Sequence, residues 1–217
     1  SGQRWRGRDP EDVADEVARG VREYNARYIS FVDDDFFGPG KTLAHKVARA
    51  LLERDLDVSI LLSIHPRDVE HDLFVLLKRA GLKSVILAVD NFCQAVLDRY
   101  RKFTTVEQNV ASIKILESLD IDAYLGIIMF DPWTTLEELH EILRVVVILP
   151  YLRPWQILSK FEIYHGSPIT VALEEQGLLK WNGYFGTYEY RDSRIQGVYL
   201  AIETIMKICH PSMHELD

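Results

Sequence analysis

SFVDDDFFGPGKT, residues 30–42, admits two readings that lead to different folds. Its last part, GPGKT, suggests a phosphate loop, which needs G-x-x-x-x-G-K-[ST] so that glycine backbone N–H groups can wrap the phosphates. Gly40, Lys41 and Thr42 satisfy the second half, but the position of the first glycine is held by Asp35, a carboxylate that would repel the phosphate. The alternative is an apolar strand that ends in three consecutive carboxylates, Asp33, Asp34 and Asp35, and serves a ligand other than phosphate. The second reading is the one the residue types support.

The composition is that of an ordinary globular protein. The chain has 217 residues, 47% hydrophobic and 27% charged, enough for one domain with a small appendage. A net charge of −8 argues against a nucleic-acid-binding surface, although RWRGR (4–8) is locally basic. Two cysteines, Cys93 and Cys209, make no disulfide framework, which points to a reducing cytoplasm. The apolar run ILRVVVILPYL (142–152) contains an arginine and a proline and is too short to span a bilayer, so no membrane partner is expected.

Outward from residues 30–42, two kinds of segment alternate. RYISFV (27–32), DVSILLSI (57–64), KSVILAV (83–89), DAYLGIIMF (122–130) and WQILSKFEIY (155–164) suit buried strands. Between them run helical stripes: Val106, Val110, Ile113 and Leu116, then Leu136, Leu139, Ile142, Leu143 and Val146. Asp9-Pro10 and Ser167-Pro168 read as N-caps followed by proline at the first helical position, and Thr135 with Glu138 as a capping box. Gly81 and Gly177 sit where helices should stop. Strands followed by helices require parallel crossovers, so the class is α/β.

PEDVADEVARGVREY (10–24) is a helix with Val13, Val17 and Val21 on one side and no strand before it. Five strands plus one absent strand make six, which fits a partial (β/α)6 TIM-like barrel better than a closed barrel of eight, which needs about 250 residues. Spacing alone leaves a doubly wound open sheet as the alternative. The expected division is a barrel over residues 1–166 and a helical extension over 167–217, with the strand at 27–32 offering an exposed edge.

Ligands bind where parallel strands end. The strand ends offer Asp33, Asp34, Asp35, Ser63, His65, Asp90, Asn91 and Asp131. Adjacent carboxylates are tolerable around a cationic ligand group or a metal. Each acid can equally cap a helix or solvate a loop, and GYFGTYEY (183–190) reads as a packed aromatic loop. CHPSMH (209–214) places Cys209, His210 and His214 close together, but Pro211 interrupts any helical register, so a zinc site is disfavoured there.

WRGRDPEDVADEV, YISFVDDDFF, VLDRYRKFTTVEQN, GIIMFDPWTTLEEL and EIYHGSPI together resemble successive landmarks of radical S-adenosylmethionine enzymes, most nearly the branch that often carries a cobalamin-binding domain. The resemblance covers roughly residues 3–200 and implies a six-stranded partial barrel. In that family the first strand leads into a CxxxCxxC loop holding a [4Fe-4S] cluster, and a segment like GQRWRGRDPEDV follows shortly. The resemblance therefore implies that this chain starts just after the loop and that the cluster ligands and a missing N-terminal segment belong to the same protein. It further implies S-adenosylmethionine as cofactor, cobalamin as an additional one, and a small-molecule or peptide substrate. The activity implied is reductive cleavage to a 5′-deoxyadenosyl radical, with methyl transfer to carbon in the cobalamin branch.

Carried over by position, the resemblance implies that Asp33, Asp34 and Asp35 meet the methionine ammonium and that Ser63, His65 and Asp90 line the same cofactor. The resemblance also implies that Ile128 packs on adenine. This chain departs from the pattern where His65 replaces an arginine, Asp90 a glutamate, Phe92 and Phe103 glycines, and His165 a proline. The competing expectations are a cluster-less binding protein that keeps the barrel, and an unrelated barrel enzyme using the rim carboxylates.

Overall fold

A computed structural model of the chain describes residues 6–38 and 40–209. In chain order the elements are α1 (Pro10–Tyr24), β1 (Tyr28–Ser30), α2 (Thr42–Glu53), β2 (Ser59–Ile64), a 3₁₀ turn (Pro66–Asp68), α3 (His71–Arg79) and β3 (Leu82–Asp90). There follow α4 (Gln94–Tyr100), α5 (Val106–Ser118), β4 (Asp122–Ile127), α6 (Leu136–Val146) and a 3₁₀ turn (Pro154–Leu158). The chain closes with α7 (Pro168–Glu175), β5 (Leu179–Asn182), β6 (Phe185–Tyr188) and α8 (Ser193–Cys209). Two compact units result, residues 1–89 with 104–126, and residues 90–103 with 127–217.

In the first unit the strands stand in the order β1-β2-β3-β4, with β1 parallel to β2 and β2 parallel to β3. Each new strand is added on the same side of the last, so the order never reverses as it must in a doubly wound sheet. This is the singly wound α/β topology of a barrel, which settles the choice left open by spacing. β2 alternates cleanly, with Ile60, Leu62 and Ile64 buried. In β3, Val85, Leu87 and Val89 are buried.

α1 starts as its sequence dictates: the Asp9 side chain accepts from the Glu11 N–H at 2.9 Å, with Pro10 at the first helical position. It buries Ala14, Val17 and Ala18 and packs on α2. Arg54, just past α2, reaches back to Asp15 at 2.8 Å and Glu11 at 2.6 Å. α5 differs from its apolar stripe. Its buried face is Asn109, Ser112, Ile113 and Leu116, because the Asn109 amide donates to the Val89 carbonyl at 2.8 Å and Ser112 Oγ to the Asn109 carbonyl at 2.7 Å. A satisfied polar group can be buried at little cost.

Among the described residues β1 pairs only with β2. The Phe31 N–H donates to the Leu61 carbonyl and Ser59 N–H to the Arg27 carbonyl, so the odd-numbered residues face β2 and the N–H and C=O groups of Tyr28 and Ser30 face the other way. A cavity of about 540 Å³ lies along this edge, lined by Val13, Val17 and Gly20 of α1, Ile29 and Ser30 of β1, and Val47 of α2.

In the second unit the expected strand at 155–164 is replaced by the 3₁₀ turn (Pro154–Leu158) and a single parallel bridge, Phe130 to Lys160. Pro154 removes a ladder donor, and the Gln156 side chain accepts from the Arg153 N–H at 2.7 Å, which holds the turn in place of an extended strand. The segment after 167 contains, besides α7 and α8, the antiparallel hairpin of β5 and β6. Thr135 and Glu138 form the expected capping box at α6, and Ser167 Oγ accepts from the Thr170 N–H at 3.2 Å at α7. Among the described residues no helix is long and apolar enough to cross a membrane.

Candidate functional site

The three carboxylates after β1 are not equivalent. Phe37 is fully buried and stacks on Phe74, with ring centroids 6.0 Å apart, while Phe36 packs edge-on against both Phe31 and Phe37. The Phe36 N–H donates to the Ser63 carbonyl at 3.0 Å, which ties the loop to the end of β2. Asp35 turns inward with these rings: its Oδ1 accepts from the Phe37 N–H at 3.2 Å, and its Oδ2 lies 3.7 Å from Arg67 Nη2. Asp33 and Asp34 stay exposed, and among the described residues neither has a cationic partner. Asp33 also borders the cavity beside β1.

Ser63 is half-buried near the end of β2. His65 Nδ1 accepts from the Arg67 N–H at 3.3 Å and so caps the 3₁₀ turn. The guanidinium near the acidic loop belongs to Arg67, two positions beyond the residue that the resemblance singles out. Its signal was present in SIHPRD, but only the fold shows that it reaches Asp35. Asp68 is buried, with one carboxylate oxygen lacking a hydrogen bond, and burial together with the Asp35 charge pushes its pKa up. Lys41 is occupied: its Nζ pairs with Glu70 at 2.5 Å and donates to the Arg67 carbonyl at 3.3 Å. Lys41 is thus engaged with the protein's own groups and is not held ready for a phosphate.

In the second unit, Asp90 adopts a left-handed backbone (φ 54°) and its carboxylate pairs with Lys102 at 2.8 Å. Burial raises its pKa and Lys102 opposes that rise. The Asp90 carbonyl accepts from the Ile128 N–H at 2.7 Å, and the Asn91 amide donates to the Ile128 carbonyl at 2.7 Å, so Asp90 and Asn91 clamp Ile128, which is half-buried. Phe92 is buried. Phe103 is 88% exposed with φ 52°, a conformation natural to glycine. His165 lies flat on Trp181, ring centroids 3.8 Å apart.

Asp131, read from sequence as a rim acid, is 1% exposed and fully engaged. Its Oδ2 accepts from Arg99 and from the Tyr100 hydroxyl, each at 2.7 Å. Its Oδ1 accepts from the Trp133 N–H at 2.8 Å and Thr134 Oγ1 at 3.1 Å. It organises a loop, which explains its burial without a ligand.

The donor sets decide which groups this chain could hold. An ammonium fits the exposed pair Asp33 and Asp34. A four-iron cluster does not fit: it needs three thiolates, and the chain has two cysteines. Cys93 is buried and donates to Glu141 at 3.0 Å, and both burial and that bond push its thiol pKa up, toward the protonated form. Cys209 is exposed on α8, and His210 and His214 lie outside the described residues. Among the described residues no group of three or more histidine, cysteine, aspartate or glutamate side chains could hold a metal ion.

The sequence is 23% identical over 221 residues to an uncharacterized methyltransferase of Pyrococcus horikoshii, covering all of this chain and 44% of that protein. It is 27% identical over 180 residues to the anaerobic magnesium-protoporphyrin IX monomethyl ester cyclase of Rubrivivax gelatinosus, covering 80% of this chain and 30% of that protein. The chain thus spans less than half the length of these relatives. Its fold is shared with OxsB, a cobalamin-dependent S-adenosylmethionine radical enzyme solved with aqua-cobalamin and S-adenosylmethionine, at a TM-score of 0.75 and 17% identity over 91% of this chain and 36% of that one. The radical S-adenosylmethionine methyltransferase TsrM of Kitasatospora setae matches at a TM-score of 0.62 and 14% identity over 78% of this chain and 34% of that one. The sequence profile of the Radical SAM superfamily matches residues 1–146, two-thirds of the chain, and the chain belongs to that superfamily.

Proposed function

We propose that this chain is the core portion of a radical S-adenosylmethionine enzyme and that Asp33 and Asp34 receive the methionine ammonium of the cofactor. The observation that carries the reading is the division of labour among the three carboxylates: Asp35 is engaged with the Phe37 N–H and Arg67, while Asp33 and Asp34 are exposed and, among the described residues, form no ion pair, although Arg6 and Arg8 line the same cavity as Asp33. In this reading Arg67, which approaches Asp35 to 3.7 Å, attracts the cofactor's carboxylate in place of His65, whose Nδ1 caps the turn; that approach and that cap support the assignment. S-adenosylmethionine, when bound and reductively cleaved, supplies the radical chemistry; the chain's own residues bind and orient it. The cluster that delivers the electron would be held by cysteines outside this chain, since these residues do not fit it. Methyl transfer to carbon with cobalamin, acting on a small molecule or peptide, is the finer reading, supported by the methyltransferase and cobalamin-dependent relatives.

One competing reading is a cluster-less protein that binds ligands on the same fold. Calorimetric titration of the chain with S-adenosylmethionine and with ATP separates them. Asp33→Asn and Asp34→Asn should each weaken S-adenosylmethionine binding by roughly tenfold, the worth of a hydrogen bond to a charged group. Lys41→Ala should leave it unchanged. Unaltered binding in the double Asp33→Asn/Asp34→Asn variant would sink the assignment, and ATP binding lost in Lys41→Ala would restore the phosphate-loop reading. S-adenosylmethionine bound normally by a protein that, purified anaerobically at full length, carries no iron would favour the cluster-less reading.

A further inference from the structure

The second unit contains a cavity that neither the superfamily reading nor the carboxylate loop explains. It has a volume of about 610 Å³, within the range of small-molecule sites, and lies between the 160–164 segment and the β5–β6 hairpin. Its lining includes Lys160, Tyr164, Phe185, Tyr188, Tyr190 and Gln196. The sequence reads GYFGTYEY as packed aromatics, but the structure splits it. Tyr190 is buried and Tyr188 half-buried, while Tyr184 is 89% and Phe185 79% exposed, around the mouth of the cavity. Aromatic rings held exposed at a concave rim are costly unless something stacks on them.

Two polar groups give the cavity a chemical preference. The Tyr190 hydroxyl is buried and has no hydrogen-bond partner, a deficit that a native structure rarely leaves unfilled. Lys160 Nζ sits 3.7 Å above the centre of the Tyr199 ring, and among the described residues it has no carboxylate partner. Glu203, whose charge acts on Lys160, lies 3.6 Å from Lys207 and is shared with it. Glu162 also lines the cavity, but its Oε2 accepts from the Tyr164 hydroxyl at 2.6 Å. The cavity thus offers aromatic faces, one ammonium that forms no ion pair among the described residues, and one hydroxyl donor, beside the Glu162 carboxylate.

We propose that this cavity binds a planar aromatic compound bearing a carboxylate, with the ring against Phe185 and Tyr188 and the carboxylate toward Lys160. The inference stands independently of the S-adenosylmethionine reading, since all its residues lie in the second unit and the carboxylate loop lies in the first. Calorimetric titration with 2-naphthoate and its neutral counterpart 2-naphthamide tests it. The wild-type chain should bind the acid about tenfold more tightly than the amide, the worth of one charge-assisted hydrogen bond. Lys160→Met should erase that difference, and Phe185→Ser should weaken both probes; both residues are exposed, so neither variant should unfold. Tyr190→Phe should weaken the acid severalfold. Naphthoate binding unchanged in both Lys160→Met and Phe185→Ser would place the probe elsewhere, and no binding at millimolar probe would remove the site; either result overturns the proposal.

Discussion

The Tyr100 hydroxyl donates to Asp131 Oδ2 at 2.7 Å, on the same oxygen that Arg99 reaches from the preceding position of α4. Burial and the Asp131 charge hold the tyrosine far above its ordinary pKa, so it acts only as a neutral donor. Arg99 continues to Glu138, in the first turn of α6. One carboxylate therefore fastens the end of α4, the 131–134 loop and the start of α6.

Removing its parts should have graded effects. Tyr100→Phe should cost about 1–2 kcal/mol, a hydrogen bond to a charged acceptor. Asp131→Ala should cost about 3 kcal/mol or more, because it removes at once the acceptor of Arg99, Tyr100, the Trp133 N–H and Thr134, and leaves Arg99 with Glu138 alone. Urea unfolding followed by circular dichroism measures both, and equal costs would show that Arg99 and Tyr100 find other partners.

Phe103 is the opposite case, a residue at odds with its backbone. At φ 52° and 88% exposed, it bears the steric cost of a left-handed conformation and gains little from burial. Phe103→Gly should stabilise the protein by about 1 kcal/mol. A lowered melting temperature would mean that the ring packs in solution.

Asp68 sets a pH dependence. Its folded pKa lies above the ordinary 3.8, first through burial and then through Asp35. Between the unfolded and folded values the folded state binds more protons, so stability falls as pH rises through that window and is level above it. Asp68→Asn should remove this fall and leave the variant relatively more stable at neutral pH. Parallel urea titrations from pH 3.5 upward check the sign; a wild-type curve that rises through the window relative to the variant would contradict it.

Gly186 is fixed by space rather than by φ. A Cβ there would meet Ile163 Cγ2 at 2.5 Å and Leu179 Cδ1 at 3.1 Å. Gly186→Ala should cost about 1–3 kcal/mol by overpacking. Adding Ile163→Ala should return part of that loss, and strict additivity in the double-mutant cycle would mean that the two positions do not touch.

What was legible in the sequence follows from which forces are local. The runs at 57–64, 83–89 and 122–130 became β2, β3 and β4 because buried parallel strands need continuous apolar residues, and the caps at Asp9, Thr135 and Ser167 are set within four residues of chain. The 155–164 run failed for a local reason that was visible, Pro154, outweighed in the reading by apolar content. The hairpin of β5 and β6 was hidden because its aromatics are not arranged for burial. The inward turn of Asn109 and Ser112 was hidden because their partners come from β3 and from the helix itself. At the site, the carboxylate cluster could be located from sequence. Its inequality could not, because it arises from Phe37 drawing Asp35 inward and from Arg67 arriving across the loop.

The one-sided pairing of β1 should print an isotopic signature. The amides of Ile29 and Phe31 donate across to β2, whereas those of Tyr28 and Ser30 point away from it, and Ser30 borders the cavity beside α1. In deuterated solvent the first pair should exchange slowly and the second pair at rates close to those of a loop. The alternation would vanish as soon as any extended backbone laid itself along the groove, so four consecutive amide resonances can report, residue by residue, whether that side of the sheet is covered.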